Sequence, residues 1–131
     1  MTGLAFYTQV AYNGANRMKA TFVELPAFER HRAKYLDDAA FSELQSELMR
    51  NPEAGDVIEG TGGLRKMRFM DKRRGKGKRG GLRVIFYWWG AGMQFWLFTL
   101  FDKDEMSDLT AEQRKAIKAM IKVELEIRRK S

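Results

Sequence analysis

Two apolar runs, Leu82–Trp89 and Met93–Phe101, are separated only by Gly90-Ala91-Gly92. Runs of this length, rich in aromatic and β-branched residues and joined by a glycine turn, read as two antiparallel strands. In the second run Met93, Phe95, Leu97 and Phe101 alternate with Trp96, Phe98 and Leu100, so both faces are apolar. A strand of that kind belongs at the centre of a sheet covered on both sides. The fold must therefore supply flanking strands and helices to pack on the sheet.

The rest of the chain offers those elements. Ala20–Leu25 reads as a strand, and Pro26, whose fixed φ and missing N–H suit a first turn, opens a helix carrying Phe28, Ala33, Tyr35 and Leu36. Asp37-Asp38 starts a second helix with Phe41, Leu44 and Leu48 on one stripe, ended by Asn51-Pro52 and Gly55. Leu64–Phe69 is a further strand. Thr110-Ala111-Glu112-Gln113 is a capping box that begins a last helix, with Ile117, Met120, Ile121 and Leu125 as its apolar stripe. Its Lys115, Lys118, Lys122, Arg128, Arg129 and Lys130 form the solvent side. Residues 1–17 are weakly patterned, with a turn at Asn13-Gly14, and read as an extension of unassigned role before one domain over 18–131. The order β-α-α-β-β-β-α gives an α+β fold: an antiparallel sheet with an N-terminal helical hairpin and a C-terminal helix.

A chain of 131 residues buries roughly two thirds of its unfolded surface, enough for one core without staples. It needs none from cysteine, of which it has none, so thiol chemistry and thiolate metal sites are excluded. One histidine, His31 in a charged helix and read as a surface residue, leaves no paired-histidine metal or ribonuclease site. The longest unbroken apolar run, Val84–Trp89, falls far short of the roughly 20 residues that cross a bilayer, and the first residues lack a basic start. A cytoplasmic protein is the expectation, without membrane, metal or cofactor.

Charge is concentrated in one place. The twenty residues Leu64–Arg83 hold ten Lys or Arg against the single acid Asp71, a net +9, while the other 14 bases and 16 acids leave the remainder at −2. Closely spaced phosphates are the natural partner of such a field. Strand alternation puts Lys66 and Arg68 on one face and Arg65 on the other. If neighbouring strands pair around the basic loop, Arg68 comes near Arg83. A turn centred on Ala91 then brings Arg83 beside Thr99, with Lys103 emerging next to them. Lys66, Arg68, Arg83 and Lys103 thus converge below a loop carrying Lys72, Arg73, Arg74, Lys76, Lys78 and Arg79. Cations gathered this way repel one another, and a phosphate ligand resolves the repulsion through bidentate arginine and point-charge lysine contacts. The aromatic residues Tyr87, Trp88, Trp89 and Trp96 read as core rather than as base-stacking platforms. Gly60 and Gly62-Gly63 lack the following lysine and helix of a nucleotide-binding loop.

In order along residues 18–125, the stretches FVELPAFERHRAKYL, GDVIEGTGGLRKMRF, RRGKGKRGGLRVIFYW and FTLFDKDEMSDLTAEQR resemble the RelE/ParE superfamily of bacterial toxins, in its HigB-like branch. The resemblance implies a type II toxin that cleaves messenger RNA in the ribosomal A site, with the ribosome as partner and silencing by a helix-turn-helix, HigA-like antitoxin. It implies that Lys66 and Arg68 stand for the family's basic pair before the loop, Arg83 for the arginine opening the next strand, and Lys103 for the basic position after the last strand. Asp104 stands where some relatives carry arginine, and the last helix lacks their tyrosine.

The chemistry available to such a cluster is attack of a ribose 2′-hydroxyl on the adjacent phosphate, giving a cyclic phosphate and a free 5′-hydroxyl. Preorganised Arg and Lys stabilise the charge that builds on the phosphate oxygens. Lys66 is assigned as the base, Arg68 and Arg83 as phosphate holders and Lys103 as the group assisting the leaving oxygen, with Glu105 the reserve base. Arg65 and the loop cations would hold RNA. Two other classes compete: a non-enzymatic basic nucleic-acid-binding domain, and a ParE-like gyrase inhibitor. Neither needs a convergent cluster of strand cations.

Overall fold

The computed structural model describes residues 7–13, 18–70, 81–105 and 109–130, the segment 7–13 and Met18 as backbone only. Among the described residues, six strands and three helices follow the order β1 (Tyr7–Asn13), β2 (Met18–Glu24), α1 (Pro26–Tyr35), α2 (Asp38–Arg50), β3 (Asp56–Val57), β4 (Arg65–Phe69), β5 (Leu82–Trp89), β6 (Gln94–Asp102) and α3 (Ala111–Arg129). The strands form one sheet ordered β1-β2-β6-β5-β4-β3. The α+β class, the helical hairpin and the C-terminal helix are as the sequence predicts. The sheet is mixed, because β2 joins β6 in parallel while every other pairing is antiparallel. Two strands add to the expected order. β1 lies at one edge, paired with β2 from Tyr7↔Glu24 to Asn13↔Met18, and the two-residue β3 lies at the other, paired with Arg65 and Lys66.

β6 sits at the centre, as its two apolar faces require. On one face Phe95, Leu97 and Leu100 meet Phe28 and Tyr35 of α1 and Phe41, Leu44 and Leu48 of α2. On the other, Trp96, Phe98 and Phe101 meet Ile85, Leu64 and the α3 residues Ile117, Ile121 and Leu125. Simple alternation fails here: a bulge between Ile85 and Phe86 of β5 leaves Phe98 as an extra residue on β6. Parity reverses beyond it, so Leu100 and Phe101 exchange the faces that alternation assigns them. Phe22, Phe28, Phe86, Phe95 and Trp96 are fully buried, each contributing about 1.5–3 kcal/mol or more of transfer free energy.

Local signals place the helices. Pro26 occupies the first turn of α1, and the Asp37 carboxylate caps α2 by accepting the Ala40 N–H at 2.8 Å. The capping box of α3 is complete: Thr110 Oγ1 accepts from the Gln113 N–H at 3.1 Å and Gln113 Oε1 from the Thr110 N–H at 2.9 Å. β2 ends at Glu24, where the Leu25 N–H donates to Leu97 O, and α1 then runs beside the second half of β6 until the Tyr35 hydroxyl reaches Glu105. On α3, two assignments change. Arg128 is no solvent-side residue: its guanidinium lies over Trp96 (4.9 Å) and Trp89 (5.4 Å) and pairs with the buried Glu124 at 3.6 Å. Met120, expected in the core, is 37% exposed.

Gly60, Gly62 and Gly63 belong to the β3–β4 turn. All three have positive φ, and the buried Thr61 hydroxyl closes the turn by donating to Ile58 O and accepting from the Leu64 N–H.

Candidate phosphate-binding site

The β4–β5 ladder sets Arg68 directly opposite Arg83 and Lys66 opposite Ile85, and β3 sets Asp56 opposite Lys66. Opposed residues of an antiparallel pair share a face with Cβ atoms about 4.5–5.5 Å apart. Three cations from two strands therefore share one face, the face on which α3 packs. Arg83 opposes Phe101 rather than Thr99, which opposes Ile85. The difference of two residues has two causes: the 3-10 turn Gly90–Gly92, closed by Met93 at φ 52°, holds four residues between Trp89 and Gln94, and the bulge adds the other residue.

Lys66, Arg68 and Arg83 line a pocket of about 610 Å³, bordered on the other side by Glu47 of α2, by Asn51 just after it and by Gly55 and Asp56. The pocket lies where β3 stops and leaves the outer side of β4 without a strand among the described residues. Gly55 shapes this edge. Its φ is +75° and a Cβ there would fall 2.2 Å from Lys66 O, so the loop before β3 lies against the β4 backbone at the residue that carries the lysine. Lys66 also borders a smaller pocket of about 280 Å³ with Asp56, Glu59, Ile85, Leu109 and Arg114. Asp56, Glu47 and Arg114 were not legible as site residues, because cross-strand register and the α3 approach bring them in.

The other assigned residues are placed differently. Arg65, on the opposite face from Lys66, donates to Glu53 O at 2.7 Å and Gly55 O at 3.2 Å, which anchors the same loop. Lys103 is exposed in the turn after β6, beyond the buried Asp102, which opposes Leu82 and accepts the Asp104 N–H at 2.8 Å. It does not line the pocket of Lys66, Arg68 and Arg83. Lys72, Arg73, Arg74, Lys76, Lys78 and Arg79 lie outside the described residues. Glu105 accepts the Tyr35 hydroxyl at 2.6 Å and pairs with Lys34 at 3.5 Å. Burial first, and then this bond to a carboxylate, raise the Tyr35 phenol above its ordinary range. His31 is half-buried rather than fully exposed.

No protein-family model matches the chain. Among solved structures it is similar to the E. coli toxin RelE, in a double arginine-to-alanine mutant in the free state. The two are 14% identical over 73% of this chain and 95% of that one, with a TM-score of 0.49. A likeness of this degree assigns no role to any residue, so what the site can do rests on its own geometry. Three cations on a rigid two-strand platform, beside an open pocket, can hold a phosphate from two directions. Among the described residues no group of three or more His, Asp or Glu side chains gathers in metal-binding geometry, and no helix is long and apolar enough to cross a membrane.

Proposed function

We propose that this chain is a type II toxin of the HigB-like kind, a ribosome-dependent endoribonuclease that cleaves messenger RNA in the cytoplasm and is silenced by a HigA-like helix-turn-helix antitoxin. The observation that carries the reading is the Arg68–Arg83 cross-strand pair with Lys66 one step along the same face. Directly opposed like charges destabilise a sheet, and an anion held between them offsets the repulsion. A scissile phosphate is such an anion. Arg68 and Arg83 hold its non-bridging oxygens, and charge developing on them in the transition state tightens both contacts. Lys66, acting in its neutral amine form, receives the 2′-hydroxyl proton and becomes an ammonium as that oxygen attacks phosphorus and the P–O5′ bond breaks. Lys103 lies outside the pocket of these three residues, in the turn after β6, and must reach in from there to supply the proton or charge for the departing 5′-oxygen. Because Glu105 is held by Tyr35 and Lys34, it serves as a base only after exchanging those partners. The resemblance of residues 18–125 to the RelE/ParE superfamily supports the same assignment.

The test is induction of the wild-type protein and of Arg83→Ala in growing cells, with messenger-RNA 5′ ends mapped. New ends confined to translated regions, lost with Arg83→Ala while the variant protein still accumulates folded, are the expected result. Growth arrest with DNA damage and no new ends would instead favour a gyrase inhibitor, and RNA binding without cleavage a simple binder.

A further inference from the structure

The site face of the sheet continues into a second hollow. Between α1 and α3 lies a cleft of about 630 Å³, with Ala27 and His31 on one wall and Ala116 and Met120 on the other, over a floor of Ile85, Phe98 and Thr99. Ile85 joins this cleft to the smaller pocket, which in turn shares Lys66 and Asp56 with the phosphate pocket. The register sets Lys66, Ile85 and Thr99 side by side on β4, β5 and β6. Neighbouring strands are about 4.8 Å apart, so Lys66 and the middle of the cleft floor are separated by roughly 10 Å across the sheet. That spacing suits a phosphate at one end and the base of an adjoining nucleotide at the other.

The lining has the composition of a base site. Its surface is mainly apolar, and the polar groups are Arg30, His31, Thr99 and Gln113. An unstacked base is held by an aromatic or guanidinium plane and read at its edge by groups that donate and accept hydrogen bonds. His31, Phe98 and Arg30 supply the planes; Thr99 and Gln113 supply the edge contacts. Folding does not close this space. Small residues, Ala27 and Ala116, stand on both walls, and Met120 remains 37% exposed although it lies on the apolar stripe of α3.

We infer that the α1–α3 cleft is a nucleobase subsite for the nucleotide next to the phosphate held by Lys66, Arg68 and Arg83. The inference rests on the phosphate reading above, and the experiment separates the two. NMR spectra of the full chain, observing the His31 ring, the Met120 methyl and the Arg68 and Arg83 side chains, are followed during titration with nucleoside 3′-monophosphates, ribose 5-phosphate and inorganic phosphate. All four groups should respond to the nucleotides, and the arginines alone to ribose 5-phosphate and inorganic phosphate. Ala116→Trp, at an exposed position on the rim, fills the cleft. It should weaken nucleotide binding roughly five- to hundredfold, the value of one stacked base, and leave ribose phosphate binding unchanged. His31 and Met120 signals that ignore nucleotides, or respond equally to ribose phosphate, overturn the subsite. So does a partner protein that perturbs Met120 while nucleotides leave it unmoved, since the cleft is then a protein dock. Arginines that ignore all three probes while His31 and Met120 follow the base would sink the phosphate reading and leave a base site.

Discussion

Replacing Arg68 with glutamine should make the protein more stable and much less active. Arg68 is exposed and directly opposite Arg83, so two like charges face each other across the β4–β5 ladder. Two unit charges about 6 Å apart interact by roughly 0.7 kcal/mol in water and by about 3 kcal/mol at an effective dielectric constant of 20. Exposure of Arg68 favours the lower figure, in keeping with the roughly 0.2–1 kcal/mol typical of cross-strand pairs. For a domain of this size that is a rise in melting temperature of about 1–4 °C. The gain should shrink in 1 M salt, where the screening length falls to about 3 Å. Loss of one charge contact in the transition state should meanwhile reduce cleavage roughly a hundred- to a thousandfold. Thermal unfolding at low and high salt, with cleavage measured on the same preparations, reads both effects. A variant less stable than wild type would show that Arg68 serves the fold, and an unchanged cleavage rate would place the phosphate elsewhere.

Gly55→Ala should destabilise by about 1–3 kcal/mol and disturb the lysine above it, because the added Cβ meets Lys66 O in a backbone conformation with positive φ; an unchanged denaturant midpoint would contradict this. Glu24, fully buried and 3.2 Å from Arg32, has its carboxyl raised above the usual range, by burial first and against the pull of Arg32. A raised carboxyl contributes stability below its unfolded pKa and loses it as pH rises through the folded value, so wild type should lose stability relative to Glu24→Gln as pH rises above the ordinary carboxylate value of 4.5. Parallel denaturant midpoints for the two proteins across that rise would refute it. Neutralising Lys76, Lys78 and Arg79 together should reduce the salt slope of RNA or ribosome binding by about one log unit per lost phosphate contact, depending on strandedness, and an unaltered slope would remove the loop from the interface. A chain starting at Met18 should keep its cooperative unfolding, because the described buried residues of both cores begin at Ala20; failure to fold would make β1 essential.

The central hairpin, the starts of all three helices and the Arg68–Arg83 pairing were legible because each depends on residues close in sequence. Alternation marks a strand, Pro26, Asp37 and Thr110 act within their own first turns, and Arg68 and Arg83 flank one connection. The sequence resemblance supplied the proposed roles, which no spacing alone would have given. Tertiary structure decided whatever depends on how distant segments meet. A single bulge at Phe98 exchanged the faces of Leu100 and Phe101 and helped to move Arg83 from Thr99 to Phe101, and no local propensity marks where a ladder gains a residue. β3 has only two residues and exists because the outer side of β4 offers hydrogen bonds; no periodicity is readable in so short a run. Asp56 and Glu47 entered the phosphate pocket in the same way, through pairing and helix packing. Arg128 carries the same charge as its solvent-facing neighbours on α3, and its place over Trp89 and Trp96 follows from where the helix comes to rest on the sheet. The α1–α3 cleft belongs to no segment by itself: it is the space left when two helices, started by their own local signals, settle on one sheet without touching along Ala27 and Ala116.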